Sequence, residues 1–265
     1  MTSDDQDIPR MTLADHLDEL RKRVLLAVAG LTVGLVIGLV FASDIAHALE
    51  RPYVQVMQNL NLRPDLNVLD VSQGFNIYLE IALDTAMLLA SPWIFYQVWM
   101  FVAAGLYPNE RKYVKYAVPA SALLFLMGAA FYLLVVSKSI IAFLLGFSRY
   151  MGLVPMITFD NYISFMTTMM VIFGLGFQTP IVVLLLAKMG LVPLEMLRKY
   201  RKHVVVVLAI LSAVLTPSPD FMSQLMLLGP MWLLYEIGVI LVRVLVKPSA
   251  VVELETSPQP ARVDE

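Results

Sequence analysis

Long apolar runs separated by short polar stretches dominate the pattern of this chain. The first run, residues 24–42, contains no charged residue and is about 20 residues long, the length that a helix needs to cross the hydrocarbon core of a bilayer. Five further apolar runs follow it. We therefore predict an all-α polytopic membrane protein with six transmembrane helices, at about residues 24–42, 75–97, 116–137, 161–187, 204–217 and 222–242.

The second span has two possible positions. Charge alone would place it after Asp84, at about residues 85–106, but Pro92 and the aromatic residues between Trp93 and Trp99 are typical of a membrane interface. This pattern favours residues 75–97. The last two runs are short for a crossing, which indicates a tight hairpin in locally thinned membrane.

Polar segments define the rest of the organisation. Residues 1–11 are predicted to be a flexible N-terminus, residues 12–245 a single membrane domain, and residues 246–265, rich in Pro, Ser and Glu, a disordered tail. An apolar stripe at helical spacing predicts an interfacial helix that leads into the first span; it consists of Leu13, Leu17, Leu20 and Val24. Loops are expected at about 43–74, 98–115 and 138–160.

Small residues and prolines shape the predicted helices. Gly30, Gly34 and Gly38 repeat at an interval of four, which lets another helix approach closely; packing within the protein is favoured over dimerisation. Prolines bend or end helices, so kinked helices that form a curved, cupped wall are expected. The prolines concerned are Pro92, Pro119, Pro180, Pro217, Pro219 and Pro230.

Composition and charge agree with this topology. Hydrophobic residues make up 59% of the 265 residues, and the mean hydropathy is +0.75, more than a soluble domain can bury. Of the 19 Lys and Arg residues, all but Arg51, Arg63, Lys138 and Arg149 fall on one side of the predicted spans. The positive-inside rule makes that side cytoplasmic and places both termini there.

The chain lacks the motifs of common catalytic classes. It has no cysteine, no phosphate-binding loop, no G-x-S-x-G or H-E-x-x-H sequence, and its three histidines are far apart. We therefore expect no enzyme activity, no cofactor, no metal and no nucleic-acid partner. The residues alone leave open a proton-coupled secondary transporter of a small solute, although no convincing internal repeat is visible. An intramembrane enzyme is a further alternative.

Several motifs resemble the TatC family, in the right order over about residues 12–245. They are the segments 16–23 (HLDELRKR), 90–99 (ASPWIFYQVW), 106–111 (LYPNER), 173–180 (FGLGFQTP), 215–217 (LTP) with Asp220, and 235–238 (YEIG). TatC is the six-span core of the twin-arginine protein translocase. The resemblance implies a receptor in the bacterial inner membrane that binds the Arg-Arg signal peptides of folded proteins at its cytoplasmic face. It also implies self-association in a receptor complex, recruitment of the single-span proteins TatB and TatA, and transport driven by the proton-motive force.

The resemblance also assigns residues. Family positions that contact the paired arginines fall on Glu19 and Glu110. Other matching positions are Arg21, Arg23, Pro52, Phe101 and Asp220, the last in a turn that is one residue longer than the usual pattern. Two separated carboxylates suit two guanidinium groups, since each pair can form two parallel hydrogen bonds.

Each candidate has a simpler reading. Glu19 precedes Arg23 by four residues and can stabilise its own helix, and Glu110 can be a solvated loop charge. Gln178 stands where the family often has glutamate; it can join helices by hydrogen bonds or line a polar groove.

Three further carboxylates lie within apolar stretches. Glu80 and Asp84 are four residues apart and are expected at the outer interface, with a role inside the membrane as the alternative. Glu236 is expected to pair with Arg243 or another basic group.

Overall fold

The computed structural model of the protein describes residues 13–105, 111–216 and 220–246, and these residues are almost all helical. A 3₁₀ turn (Arg111–Tyr113) precedes the helix Val114–Phe131, and a π-helical turn (Tyr132–Val136) joins that helix to the helix Ser137–Tyr150. Within the described ranges, the only β pairing is an isolated bridge between Asn67 and Thr158. The predicted all-α class is confirmed. The helices are α1 (Leu13–Asn59), α2 (Gln73–Gly105), α3 (Val114–Phe131), α4 (Ser137–Tyr150), α5 (Phe159–Gly176), α6 (Thr179–Lys188), α7 (Leu194–Lys199), α8 (Arg201–Leu215) and α9 (Phe221–Leu245).

Five helical stretches of the described chain are long and apolar enough to cross a membrane. The remaining prediction, the fifth span at about residues 204–217, corresponds to α8, which has 15 residues and is shorter than the usual crossing of about 20 residues. The expectation that the last run is also short is wrong, because α9 has 25 residues. The five longer stretches are Ala14–Asn59, Gln73–Gly105, Arg111–Tyr150, Phe159–Lys188 and Phe221–Leu245.

The prediction of a loop from residue 43 is wrong as far as residue 59, because α1 continues through this segment with Pro52 inside it. The reason is tertiary packing: one face of this part of α1 is buried in the main apolar core, which outweighs its polar composition and the missing amide of the proline. The buried side chains of that face include Leu49, Tyr53, Val56 and Met57.

Two other predicted loops are also partly helical. Helix α2 extends to Gly105, and Trp99 and Ala103 in its last two turns are buried. Helix α4 occupies most of the segment predicted as the second outer loop. Conversely, the predicted span 161–187 is not one helix. It is interrupted at Phe177 and Gln178, since Pro180 has no N–H to continue the helical ladder.

The most extensive helix contacts join α1 to α2, α2 to α3, α3 to α5, α6 to α9 and α9 to α8. Helices α1 and α8 thus stand at the two ends of this series. The break between α5 and α6 lets one segment of chain pack against α3 in its first half and against α9 in its second.

The helix ends form two faces. At one face Lys188, at the end of α6, donates a hydrogen bond of 2.5 Å to Leu245 O at the end of α9 and lies over the ring of Tyr113 before α3. We call this face the basic end, because it carries every described Lys and Arg except Arg51, Arg63, Lys138 and Arg149. At the opposite end, Arg149 donates to Leu60 O at 2.6 Å.

Candidate functional site

The start of α1 and the end of α2 lie side by side at the basic end. The His16 and Phe101 rings stack with their centroids 4.4 Å apart. Further along the same two helices, Trp93 Nε1 donates to Leu26 O at 2.8 Å. These contacts align the polar segment before the first apolar run with the aromatic end of α2.

A chain of polar contacts crosses this helix pair. Arg23 Nε donates to Glu19 Oε1 at 2.6 Å, and Arg23 Nη1 donates to Gln97 Oε1 at 3.1 Å. The Glu19 and Arg23 side chains are only 19% and 17% exposed, and Gln97 is buried. Helical spacing brings the two charges together on α1, while Gln97 arrives from α2. The arrangement holds a carboxylate in a defined position close to the surface of the basic end.

The register of α1 against α2 depends on the three glycines of α1. A Cβ at Gly34 would lie 2.9 Å from Ala86 O, and Cβ atoms at Gly30 and Gly38 would overlap Trp93 and Ala82 O respectively. The glycines therefore allow backbone contact within one molecule, which confirms the favoured packing use of the repeat. Close approach at these points sets which α2 residues face Glu19 and Arg23.

The predicted site residues do not all meet. Glu19, Arg23 and Phe101 lie at the basic end, where Arg21 is exposed on the same turn of α1. The residue Glu110 lies outside the described residues. Pro52 and Asp220 lie at the opposite end, so they cannot share a single binding site with Glu19.

Both residues at the opposite end have clear structural roles. Asp220 caps α9, its carboxylate accepting from Ser223 N at 2.7 Å. Pro52 is buried within α1, and the hydroxyl of Tyr162 on α5 donates to Leu49 O at 2.7 Å. Pro52 has no N–H for the carbonyl four residues earlier, that of Ala48, and the Tyr162 hydroxyl binds the next carbonyl along α1.

A second polar chain links three elements inside the protein. Trp99 Nε1 donates to Ser121 Oγ at 2.8 Å, and Gln178 Nε2 donates to Ser121 O at 3.0 Å. Gln178 thus joins the α5–α6 break to α3, as expected for a residue that holds helices together. The alternative, that it lines a peptide groove, stays a prediction.

Replacing Gln178 by leucine should lower the free energy of unfolding by about 0.6–1.7 kcal/mol, from the average to the largest value found by double-mutant cycles for side-chain hydrogen bonds inside a membrane. Glutamate should destabilise at least as much, because an ionised carboxylate has no proton to donate to Ser121 O. Thermal unfolding in detergent measures both. The control is Gln58→Leu at the exposed end of α1; equal losses at both positions would contradict the role of this hydrogen bond.

Sequence reasoning missed Gln97 as a site residue, although it occurs in a quoted motif. An uncharged amide within an apolar run is itself a signal, since it must find a partner in a membrane.

Glu236 pairs with Arg201 at 3.1 Å, which confirms the expected basic partner. Asp84 lies within α2 beside Thr167 of α5. The location of Glu80 and Asp84 at the outer membrane interface stays a prediction.

Comparisons with known proteins agree on one family. A family model described as Sec-independent protein translocase protein (TatC) matches residues 15–230. The TatC protein of Carboxydothermus hydrogenoformans is 37% identical over 238 residues, covering 90% of this chain and 95% of the relative. That of Aquifex aeolicus is 32% identical, covering 87% and 94%.

Solved structures point the same way. A crystal structure of the twin-arginine translocase receptor TatC is similar to this chain with a TM-score of 0.73 and 32% identity, covering 86% of this chain and 98% of that one. A second structure, of TatC in the detergent DDM, has a TM-score of 0.74. The matches extend over most of this chain and most of each relative. The chain belongs to the TatC family of Sec-independent protein translocase proteins, a family of multi-pass membrane proteins of protein transport.

Proposed function

We propose that this protein is the receptor and scaffold of twin-arginine translocation, and that it binds the Arg-Arg signal peptides of folded proteins at its basic end. The observation that carries the proposal is the Glu19 carboxylate, which Arg23 and Gln97 hold in a fixed position beside the His16–Phe101 stack. Membership of the TatC family supports the translocation role.

Glu19 is suited to a second guanidinium. A carboxylate has about four lone-pair sites, and within the described residues only Arg23 forms a hydrogen bond with it. An incoming arginine would either share the carboxylate or displace Arg23 towards Gln97. Partial burial strengthens such a pair by excluding water.

Glu110 is the proposed acceptor for the other arginine. It belongs to the stretch 106–110, between the end of α2 at Gly105 and the 3₁₀ turn that begins at Arg111. A Cβ on Gly105 would lie 3.7 Å from the His16 ring, so this stretch starts next to the first turns of α1. A five-residue connection can keep Glu110 within reach of a peptide bound at Glu19.

The other matched positions act around this pair in the proposal. Arg23 orients Glu19, Arg21 adds positive charge at the membrane surface, and Phe101 provides an apolar wall through its stack on His16. Pro52 and Asp220, at the opposite end, maintain the helix geometry there. Both termini and the basic end face the cytoplasm of a bacterial cell, in keeping with the positive-inside rule.

The scaffold part of the proposal follows the family. The protein associates with further copies of itself in a receptor complex and recruits TatB and TatA, and the proton-motive force drives export. No motif for nucleotide hydrolysis is present in the sequence, so the energy for transport has to come from outside the chain.

Peptide chemistry tests the receptor role directly. Replacing one peptide arginine by lysine should weaken binding to the purified protein about tenfold, because lysine keeps the charge but loses the two-pronged hydrogen bonding. Replacing both should weaken it about a hundredfold. Fluorescence anisotropy of a labelled peptide measures the affinities. Equal binding of Arg-Arg and Lys-Lys peptides would refute recognition of the motif, and solute uptake into vesicles would then be the next assay.

A further inference from the structure

A groove opens between α3 and α6 at the basic end. Helix α3 packs closely on α5, where a Cβ at Gly128 would lie 2.6 Å from Phe173 O, but beyond the break at Gln178 it contacts α6 much less. The separation leaves a groove of about 380 Å³, within the size range of small-molecule sites. Its walls include Trp99, Tyr116, Ala120, Ile181, Leu184 and Leu185.

The mouth of the groove is basic. Lys188 Nζ lies 4.7 Å from the centroid of the Tyr113 ring, and both residues line the groove. The Nζ atoms of Lys112 and Lys115 lie 5.3 and 5.4 Å from the centroids of Tyr113 and Tyr116. None of the salt bridges in the described parts of the chain includes any of these three lysines. Positive charge therefore gathers where the apolar walls end.

We propose that this groove binds an anionic glycerophospholipid, with an acyl chain between α3 and α6 and the phosphate at Lys188. Charge complementarity favours an anionic headgroup, since lysine is a good point-charge partner for phosphate. The apolar walls favour an acyl chain over a peptide, because a peptide backbone would bring N–H and C=O groups that need partners. Trp99 Nε1, the indole donor in the wall, is already bound to Ser121.

The tryptophans of the chain provide a direct assay. Trp99 lines the groove and is only 8% exposed, whereas Trp232 on α9 is 45% exposed. The variant Trp93→Phe/Trp232→Phe retains Trp99 as the only tryptophan, and Trp93→Phe/Trp99→Phe retains Trp232. Phospholipids brominated on the acyl chain quench a tryptophan that they touch. Lipid in the groove should reach Trp99, whereas lipid around the protein should reach mainly Trp232.

We expect brominated phosphatidylglycerol to quench Trp99 saturably in mixed micelles. Its half-quenching concentration should be at least fivefold below that of brominated phosphatidylcholine, because one lysine at a membrane surface raises the affinity for an anionic lipid by about this factor. Trp232 should show no preference between the two headgroups. Lys188→Gln should reduce the preference at Trp99 about fivefold, and Lys188→Arg should retain it. Lys202→Gln, at the basic end on α8, is the matched control and should leave it unchanged.

Three results would overturn the proposal. Equal quenching of Trp99 by the two lipids would show that the groove does not select an anionic headgroup. Absence of quenching, in a variant that unfolds at the wild-type temperature, would show that no acyl chain lies in the groove. Quenching that appears only after deletion of residues 248–265 would identify the C-terminal tail as the occupant. The assay contains no signal peptide, so its outcome is independent of the receptor function.

Discussion

Glu19→Gln is expected to weaken binding of an Arg-Arg signal peptide at least about 30-fold, since loss of one partner from a partly desolvated ion pair costs about 2–5 kcal/mol. The glutamine would also leave the charge of Arg23 without its carboxylate, 2.6 Å away in the wild type, and that charge would repel the peptide arginines. Titration of the purified variant with labelled peptide measures the loss.

Asp18→Asn is the matched control. Asp18 immediately precedes Glu19, is exposed, and loses the same charge on substitution, so general attraction of a basic peptide would change equally in both variants. We expect Asp18→Asn to stay within about twofold of the wild type, as for exposed charges. Equal losses in the two variants would mean that Glu19 contributes net charge only.

Peptides with a single lysine extend this experiment. If Glu19 binds one particular arginine, lysine at that position should cause no further loss in Glu19→Gln, whereas lysine at the other position should still weaken binding. Glu110→Gln should show the reverse pattern. Losses that simply add for every combination would contradict the assignment of one arginine to each glutamate.

Gly38→Ala is expected to lower the free energy of unfolding by about 1–3 kcal/mol, the usual range for overpacking. The added methyl would overlap Ala82 O, and a backbone atom cannot move aside like a flexible side chain. The two helices would have to separate along the surface that sets the Arg23–Gln97 contact. Thermal unfolding in detergent should show a midpoint roughly 5 °C lower, with weaker peptide binding as a second effect.

Gly146→Ala offers a control with the opposite sign. No atom lies within 4 Å of a Cβ built at Gly146 in α4, and alanine favours a helix over glycine by up to about 1 kcal/mol. This variant should unfold at the wild-type temperature or slightly above it. A similar decrease in both variants would show that close α1–α2 packing is not the cause.

Features that depend on local spacing could be predicted from the sequence. The apolar runs located all five long helices, the short α8 was recognised as short, and the spacing of Glu19 and Arg23 predicted their ion pair. Each of these rests on helical geometry within one segment. The same reasoning found the glycine repeat of α1 as a surface for close packing.

Features that depend on contacts between distant segments could not be predicted in this way. Gln97 meets Arg23 only because α1 and α2 pack in one register, across 74 positions of sequence. The extension of α1 to Asn59 likewise depends on a core built by α4 and α5. Local composition describes residues 43–59 as polar and proline-containing, and it carries no information about the helices that cover their apolar face.

The length of α1 has a mechanical consequence. A helix of 47 residues is about 70 Å long, more than twice the thickness of the hydrocarbon core. If it moves as a rigid lever, a tilt of about 5° displaces one tip relative to the other by roughly 6 Å. A peptide that shifts the Glu19 end would therefore also displace the opposite end of α1, beyond the far side of the membrane, unless the helix bends at Pro52 and absorbs the motion.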